Sequence, residues 1–281
     1  VDLTGVTPTG PHGRILERDV LAAGRSTSAA VAAGSTAGIP GTGLGGRVTL
    51  ADQQAPAAVA PETSSVLGYH DEKISHMRKI IADSMHNSLA TMAQLTHHSS
   101  FDASSIIAYR KELKAAESLD LPGITYNDLI LYAVSRVLKH HPVLNAHWMD
   151  DKIRYFDHVH LGMAVDTPRG LLVPTIFNAD TKSLAEIAKE TKELAAAAQG
   201  GSISPDLLSG ATFTVSNLGT LDIEMFTPVI NPPQTGILGV DCMVDRVRMA
   251  DGHISVYPAM GLSLTYDHRA MDGAPTSRFL K

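Results

Sequence analysis

The stretch LSLTYDHRAMDGAP, residues 262–275, changes character halfway along its length. Apolar residues alternate with Ser263 and Thr265, and this period of two places alternate side chains on opposite faces of a β-strand. The alternation stops at Asp267, and an imidazole follows at once at His268. The pattern therefore predicts a strand whose end delivers charged and titratable side chains into a loop.

Upstream of this strand, helical and extended patterns are mixed. Residues 125–142 predict an apolar helix that a proline ends, and residues 183–201 predict a helix with Ser183 and Glu186 at capping-box spacing. Residues 211–266 are rich in strand-forming residues, with glycine and proline between the runs. Because there is no regular alternation of strand and helix, the sequence predicts an α+β fold with a two-layer mixed sheet.

Four further segments complete the predicted domain. Residues 73–90 carry apolar side chains at helical spacing, and residues 102–117 form a second such pattern with Asp102 as a candidate N-cap. A hairpin is predicted around Asp150, and residues 160–177 predict two strands joined by a Pro-Arg-Gly turn.

The chain before this domain is divided by composition and by a short repeat. TGPHGRILERD, residues 9–19, is echoed by TGLGGRVTLAD, residues 42–52, and two Ala-rich segments separate these motifs from each other and from the domain. We predict five parts: a small helical module at 1–23, a flexible linker at 24–41, a second copy of the module's loop motif at 42–52, an Ala/Pro-rich linker at 53–69, and a large domain at 70–281.

Composition narrows the class of protein. The chain has 281 residues, 44% of them hydrophobic and 19% charged, with a net charge of −6, so nucleic acid is not an expected partner. A single cysteine, Cys242, excludes an internal disulfide framework and is typical of a reducing compartment. No run approaches the roughly 18 apolar residues that a membrane span requires.

The residues after the last strand are suited to acid–base chemistry. Free imidazole has a pKa of about 6.5, so a histidine can remove a proton near neutral pH when a neighbour orients its ring. Asp267 or Asp272 could orient His268 or position its loop. A network of surface ion pairs would explain the same three charged residues, and the sequence around them leaves both interpretations open.

Two further motifs favour the first interpretation. ATFTVSNLGTLDIEMFTPVINPPQTGIL, residues 211–238, carries S-N-L-G and then I-N-P-P, and Met77–Lys79 reads M-R-K. Together with D-H-R-A-M-D-G at 267–273, these motifs resemble the catalytic domain of the dihydrolipoamide acyltransferases, the core subunits of the 2-oxo acid dehydrogenase complexes. Residues 1–23 resemble the second half of the family's peripheral-subunit-binding domain, so the resemblance implies a partial binding module there and a catalytic domain at 70–281 that continues a little beyond Lys281. The fold that this resemblance implies is similar to that of chloramphenicol acetyltransferase.

The resemblance implies a role for each matched residue. His268 would be the general base that activates a thiol, Ser216 would stabilise the tetrahedral oxyanion, and Asp272 would hold the active-site loop through an ion pair with Arg78. Gly273 would support the site. Asn217, Asp166 and Gly239 are candidates for binding coenzyme A; Asn217 could instead cap its own turn.

The resemblance also implies substrates and partners. Coenzyme A would be a substrate, lipoate would be carried by a lipoyl domain that is not part of this chain, and no metal is expected. The family forms trimers in which serine and histidine come from different chains, and the trimers build a cubic or dodecahedral core. The binding module would recruit the decarboxylase and dihydrolipoamide dehydrogenase subunits.

Several alternatives remain open. The acyl group is predicted to be acetyl, as in pyruvate or acetoin complexes, with succinyl and branched-chain groups as the others. The chain could also be a non-catalytic scaffold subunit, or a stand-alone acetyltransferase of the chloramphenicol type. A bacterial cytoplasm is the predicted location, or the mitochondrial matrix for a eukaryotic protein.

Overall fold

A computed structural model describes residues 6–7, 9–26, 42–43, 48–49, 52, 68–116 and 123–281. The chain divides into two units, Val1–Glu72 and Lys73–Lys281. The predicted linkers at 24–41 and 53–69 lie almost wholly outside the described residues, and the predicted second loop motif at 42–52 lies partly outside them.

The first unit contains a 3₁₀ turn, Pro11–Gly13, and a helix, α1, Glu17–Ser26. The carboxylate of Asp19 joins this helix to the preceding loop, since it accepts hydrogen bonds from the backbone N–H groups of Thr9 and Leu16, both at 2.9 Å. A carboxylate in the first helical turn is favoured because free backbone N–H groups point towards it there.

The second unit is built on a six-stranded mixed sheet. Its strands lie in the order β1-β8-β7-β6-β4-β5, with parallel pairing between β4, β6 and β7 and antiparallel pairing elsewhere. Their bounds are β1 Gln94–Asp102, β4 Leu161–Met163, β5 Thr175–Ile176, β6 Phe213–Asn217, β7 Gly236–Ala250 and β8 His253–Asp267. A separate hairpin pairs β2, Ala146–Met149, with β3, Lys152–Tyr155.

The second unit also contains α-helices. They are α2 His76–Thr91, α3 Ser104–Ala115, α4 Tyr126–Val137, α5 Leu184–Gly200 and α6 Gly273–Leu280, with shorter 3₁₀ turns at Leu138–His140, Ala179–Thr181, Pro205–Leu208 and Gly219–Leu221. The buried core joins Leu131 and Ile187 of the helices to Phe213, Leu238 and Leu264 of the strands. The predicted α+β fold with a two-layer mixed sheet is therefore confirmed.

Local sequence signals account for most helix boundaries. Ser183 and Glu186 form the predicted capping box at α5, and Gly201 ends that helix in the left-handed conformation, with φ 74°. The prediction for α3 was wrong by one residue: Ala103 is the N-cap, and Asp102 instead accepts a hydrogen bond at 3.0 Å from the backbone N–H of Ser104. Asp102 is the last residue of β1, so the helix begins one residue later than the capping pattern predicted.

Large apolar side chains are exposed at several places in the part of the chain that the structure describes. Met77, Ile80 and Leu89 of α2 are 36%, 52% and 58% exposed. At the far end of the β7–β8 hairpin, beyond the helices, Val247 pairs with Val256 and Met249 pairs with Ile254, and all four are at least 65% exposed. Surfaces of this kind mark interaction sites. No helix among the described residues combines the length and the apolar character that would let it cross a bilayer.

Candidate active site

The end of β8 holds the candidate histidine through its neighbours. Asp267 is fully buried, and both of its carboxylate oxygens accept hydrogen bonds from Arg269, at 3.0 Å from Nε and 2.6 Å from Nη2. The guanidinium also lies over the ring of Trp148, 4.9 Å from its centroid, and the bond to Asp267 raises the pKa of Arg269. Asp267 and Arg269 therefore fix the turn between them.

His268 projects outward from that turn. Its backbone N–H donates to the carbonyl of Ala93 at 2.9 Å, while its side chain is exposed. Its ring lies against the fully buried ring of Tyr266, with centroids 5.6 Å apart. The imidazole is thus presented to solvent beside a backbone that bonds to Ala93.

Tyr266 lies beneath the site, and sequence analysis assigned it no role. Its hydroxyl is 3.3 Å from Nε2 of His97, whose Nδ1 lies 3.1 Å from the hydroxyl of Ser277 on α6. Burial, and then the charge of Asp272, raise the pKa of Tyr266. The strict alternation of β8 was the one available signal, because it places position 266 on the core face directly before the loop.

Asp272 and Gly273 begin α6. Asp272 is the exposed N-cap residue, its side chain makes no capping bond, and its carbonyl accepts a hydrogen bond at 2.8 Å from the hydroxyl of Thr276. A Cβ at Gly273 would lie 3.2 Å from the Tyr266 hydroxyl and 3.3 Å from Cε1 of His97. Glycine therefore lets the helix start close against the tyrosine.

Ser216 lies far from His268 within one chain. It is half-buried near the end of β6 and is in register with Gly239 of β7, which is in register with Ser263 of β8. His268 lies five residues beyond Ser263. With strands about 4.8 Å apart and a rise of about 3.3 Å per residue, the Cα atoms of Ser216 and His268 are roughly 20 Å apart.

The candidates for binding coenzyme A have local partners. Asn217 accepts a hydrogen bond at 2.9 Å from the backbone N–H of Gly219 and donates one at 3.2 Å to Asn127, so it caps its own turn. A Cβ at Gly239 would lie 2.7 Å from the Phe226 ring, which therefore rests directly on the glycine. Asp166 is exposed beside the turn that precedes Gly170.

The structure does not join Arg78 to Asp272 within one chain. No ion pair connects the two among the residues that the structure describes. Arg78 instead extends towards the turn at Gly170, where an added Cβ would lie 3.6 Å from its Nη2 and 3.1 Å from Ile81. The predicted ion pair is therefore absent from a single subunit.

A second polar cluster lies on the sheet face that carries Ser216, and sequence analysis missed it. His98, Ser263, Gly239 and Ser216 occupy one row across four adjacent strands. The Ser263 hydroxyl donates to Asp241 at 2.8 Å and lies 2.8 Å from Nδ1 of His98. Burial raises the pKa of Asp241, whose other carboxylate oxygen is buried without a partner. Only the strand register brings these residues together.

Potential metal ligands are scattered in the part of the chain that the structure describes. No three histidine, cysteine, aspartate or glutamate side chains are grouped there so that they could hold a metal ion.

The fold and site define a two-layer α+β domain with a histidine and a serine on separate surfaces of one subunit. The family described as 2-oxoacid dehydrogenases acyltransferase (catalytic domain) matches residues 67–281, and the e3 binding domain matches residues 1–21. The chain belongs to this acyltransferase family.

Three known proteins are similar to the chain. The dihydrolipoyllysine-residue acetyltransferase component of the acetoin cleaving system of Bacillus subtilis is 38% identical over 249 residues, which cover 86% of this chain and 62% of that protein. The dihydrolipoamide acetyltransferase of Azotobacter vinelandii has a TM-score of 0.72 and 36% identity, covering 75% of this chain and 88% of that one. The cubic core of a pyruvate dehydrogenase multienzyme complex has a TM-score of 0.71 and 34% identity, with the same two coverages. The chain spans about three fifths of the length of the first curated relatives that it matches.

Proposed function

We propose that this chain transfers an acetyl group between a dihydrolipoyl thiol and coenzyme A, as the core subunit of a 2-oxo acid dehydrogenase complex. Relatives named as acetyltransferases of acetoin and pyruvate complexes support acetyl as the acyl group.

One observation carries the assignment of the site. In the Azotobacter vinelandii enzyme, a serine, a histidine 52 residues later and an asparagine four residues after that were studied for their role in catalysis. Ser216, His268 and Asp272 have the same two spacings in this chain. The third position differs, because an aspartate stands here where that enzyme has an asparagine.

The proposed chemistry follows from the properties of a thiol. A thiol with a pKa of about 8.5 is mostly protonated at neutral pH, and only its thiolate is a strong nucleophile. His268 takes the proton, the thiolate attacks the thioester carbonyl, and a tetrahedral oxyanion forms. The hydroxyl of Ser216 would donate a hydrogen bond to that oxyanion. Such a donor stabilises the transition state more than it stabilises the bound substrate, because the negative charge develops only as the reaction proceeds. Collapse of the intermediate breaks the original thioester C–S bond and releases the second thiolate, which takes the proton from His268.

The serine and the histidine belong to different subunits in this proposal. A separation of roughly 20 Å is too long for Ser216 to donate to an oxyanion that forms beside His268 of the same chain. The exposed apolar side chains of α2 and of the β7–β8 hairpin support a contact with a neighbouring subunit. We therefore propose a trimer whose sites lie between neighbouring chains, and a cubic or dodecahedral assembly of such trimers.

The proposal also covers partners and location. The match of residues 1–21 to the e3 binding domain supports docking of dihydrolipoamide dehydrogenase, and of the decarboxylase, to this part of the chain. Lipoate would arrive on a lipoyl domain outside these 281 residues. The bacterial relatives and the single, buried, unpaired Cys242 support a bacterial cytoplasm.

Acyl transfer from acetyl-CoA to free dihydrolipoamide tests the catalytic proposal. We expect His268→Ala to lower kcat roughly 10²–10⁴-fold, as for the loss of a general base. His253→Ala, which removes an exposed histidine at the start of β8, is the matched control and should keep full activity. Equal activity of His268→Ala and the unsubstituted chain would contradict the proposal, and succinyl-CoA and isobutyryl-CoA would rank the acyl groups.

A further inference from the structure

The loop that carries His268 is short, and one side chain of the neighbouring strand is linked to both of its ends. β8 ends at Asp267 and α6 begins at Gly273, so residues 268–272 form the loop. His97 lies on β1, which pairs with β8 along its whole length. Sequence analysis gave His97 no part in the site. Its contacts bear on how the position of His268 is fixed.

His97 is hydrogen-bonded through both ring nitrogens. Its Nε2 lies 3.3 Å from the hydroxyl of Tyr266, and its Nδ1 lies 3.1 Å from the hydroxyl of Ser277. The imidazole also packs edge-on against the ring of Tyr266, with centroids 5.1 Å apart. His97 thus connects the end of β8, directly before the loop, with α6, directly after it.

The second contact of Ser277 fixes the direction of these hydrogen bonds. Its hydroxyl donates to the carbonyl of Gly273 at 2.9 Å, so its single proton is already used. Nδ1 of His97 must then donate to the Ser277 oxygen, which leaves Nε2 as the acceptor for the hydroxyl of Tyr266. The chain of bonds from Tyr266 to Gly273 is therefore continuous, and each of its members has a defined donor and acceptor.

β1 holds both ends of the loop. The backbone N–H of His268 donates at 2.9 Å to the carbonyl of Ala93, the residue before β1 begins. At the other end, the bonds through His97 reach the carbonyl of Gly273. The ring of His268 rests against that of Tyr266, with centroids 5.6 Å apart, and Tyr266 is the other partner of His97.

The hydroxyl of Tyr266 needs its partner. Tyr266 is fully buried, and burial raises its pKa, so the hydroxyl keeps its proton at neutral pH. A buried donor that loses its acceptor is destabilised, and the side chain shifts to relieve the loss. Such a shift would move the surface on which the imidazole of His268 rests. Displacement of a reacting group by about 1 Å is enough to lower a rate by roughly 10²-fold.

We propose that His97 is a positioning residue of the acyl-transfer site, which fixes the ring of Tyr266 and the start of α6 and thereby the orientation of the His268 imidazole. This inference rests on the proposed catalytic role of His268. His97 touches no reacting atom in the proposal, so its loss should lower kcat and leave the KM for acetyl-CoA nearly unchanged.

Acyl transfer from acetyl-CoA to free dihydrolipoamide, measured on the whole chain, tests the proposal. His97→Leu removes both ring nitrogens and keeps a side chain of similar size, and we expect kcat to fall roughly 10–10²-fold with KM within about twofold. His97→Gln again supplies one donor and one acceptor, and it should regain at least about a third of the unsubstituted kcat. His253→Leu, at an exposed histidine that begins β8, is the matched control and should keep full activity.

Ser277→Ala tests the same chain of bonds without removing the histidine. Alanine cannot accept from Nδ1 of His97, and its helix propensity is higher than that of serine, so α6 itself is not weakened. We expect kcat to fall roughly 3–10-fold, less than in His97→Leu, because the bond to Tyr266 remains. The double variant should lose no more activity than His97→Leu alone, since both changes break the same chain.

The outcomes separate this inference from the catalytic proposal. Full activity of His97→Leu and of Ser277→Ala, in a chain that His268→Ala inactivates, would overturn the positioning role alone. Equal losses in His97→Leu and His97→Gln, with full activity of Ser277→Ala, would overturn it too, because hydrogen bonding at His97 would then have no effect on the rate. Unchanged activity of His268→Ala would overturn the catalytic proposal and this inference together.

Discussion

Ser216 and His268 lie on the same six-stranded sheet, yet two strand spacings and five residues of rise separate them. The resulting distance of roughly 20 Å means that a single chain contains two half-sites. The half-site with His268 adjoins the ion pair of the buried Asp267 with the partly exposed Arg269, and the half-site with Ser216 lies in a row of polar side chains across four adjacent strands.

Complementation between inactive chains tests this arrangement. His268→Ala and Ser216→Ala should each lose activity, the second by roughly 10²–10³-fold in kcat, as for removal of an oxyanion donor. When the two variants are denatured, mixed in equal amounts and refolded as random trimers, about a quarter of the sites combine an intact serine with an intact histidine. We therefore expect about a quarter of the unsubstituted activity. A mixture no more active than its components would mean that both residues serve the same site from one chain.

Two ion pairs of the domain differ in the burial of their carboxylates, since Asp267 is fully buried and Asp102 is partly exposed. Arg269→Met removes the guanidinium from the fully buried carboxylate of Asp267 and leaves it the backbone N–H of residue 269, and because Arg269 is itself 33% exposed the loss should be about 1–3 kcal/mol. Arg248→Met breaks a pair with Asp102 in which both side chains are partly exposed, at 50% and 32%, and should cost about 0–1 kcal/mol. Chemical unfolding measures both. Equal losses of unfolding free energy would contradict the anchoring role of Asp267.

How far the sequence predicts this molecule depends on the range of each signal. The capping box at Ser183 and Glu186 and the glycine that ends α5 depend on neighbours within a few residues, so the sequence located them correctly. The N-cap of α3 was misplaced because Asp102 pairs with Ala259 as the last residue of β1, and that contact lies far away along the chain.

The same distinction applies to the site. Motif order alone identified His268, Asp272 and Ser216, whose proposed roles remain predictions. The pair of Ser263 with Asp241 depends on a register shift between Val240 and Met243, and no pattern within one strand reveals a partner 22 residues away. The contact of Tyr266 with His97 likewise requires the pairing of β1 with β8.

Gly273 gives a prediction that tests its contact with Tyr266. Gly273→Ala places a methyl group 3.2 Å from the tyrosine hydroxyl, and crowding of this kind costs about 1–3 kcal/mol. Because the hydroxyl is the nearest atom, Tyr266→Phe should restore part of that loss in the double variant, and a double-mutant cycle measures the coupling. Ala274→Gly, at the next position of α6, is a control that removes a methyl group instead. Additive effects in the cycle would show that the two residues do not interact.

Asp241 should make stability depend on pH in a defined direction. Burial raises its pKa above the ordinary value of 3.8, so the folded chain holds this proton more tightly than the unfolded chain does. The free energy of unfolding therefore falls as the pH rises from about 4 through the folded-state pKa, and it changes no further above that. Asp241→Asn cannot titrate, so its unfolding free energy should fall less than that of the unsubstituted chain across this range.

Denaturant unfolding at several pH values between 4 and 7 gives the difference, and Asp222→Asn, which replaces an exposed carboxylate in the neighbouring segment, serves as the control. Parallel pH curves for the unsubstituted chain and Asp241→Asn would mean that Asp241 has the same pKa in the folded and unfolded chains, and that burial of its carboxylate does not raise that pKa.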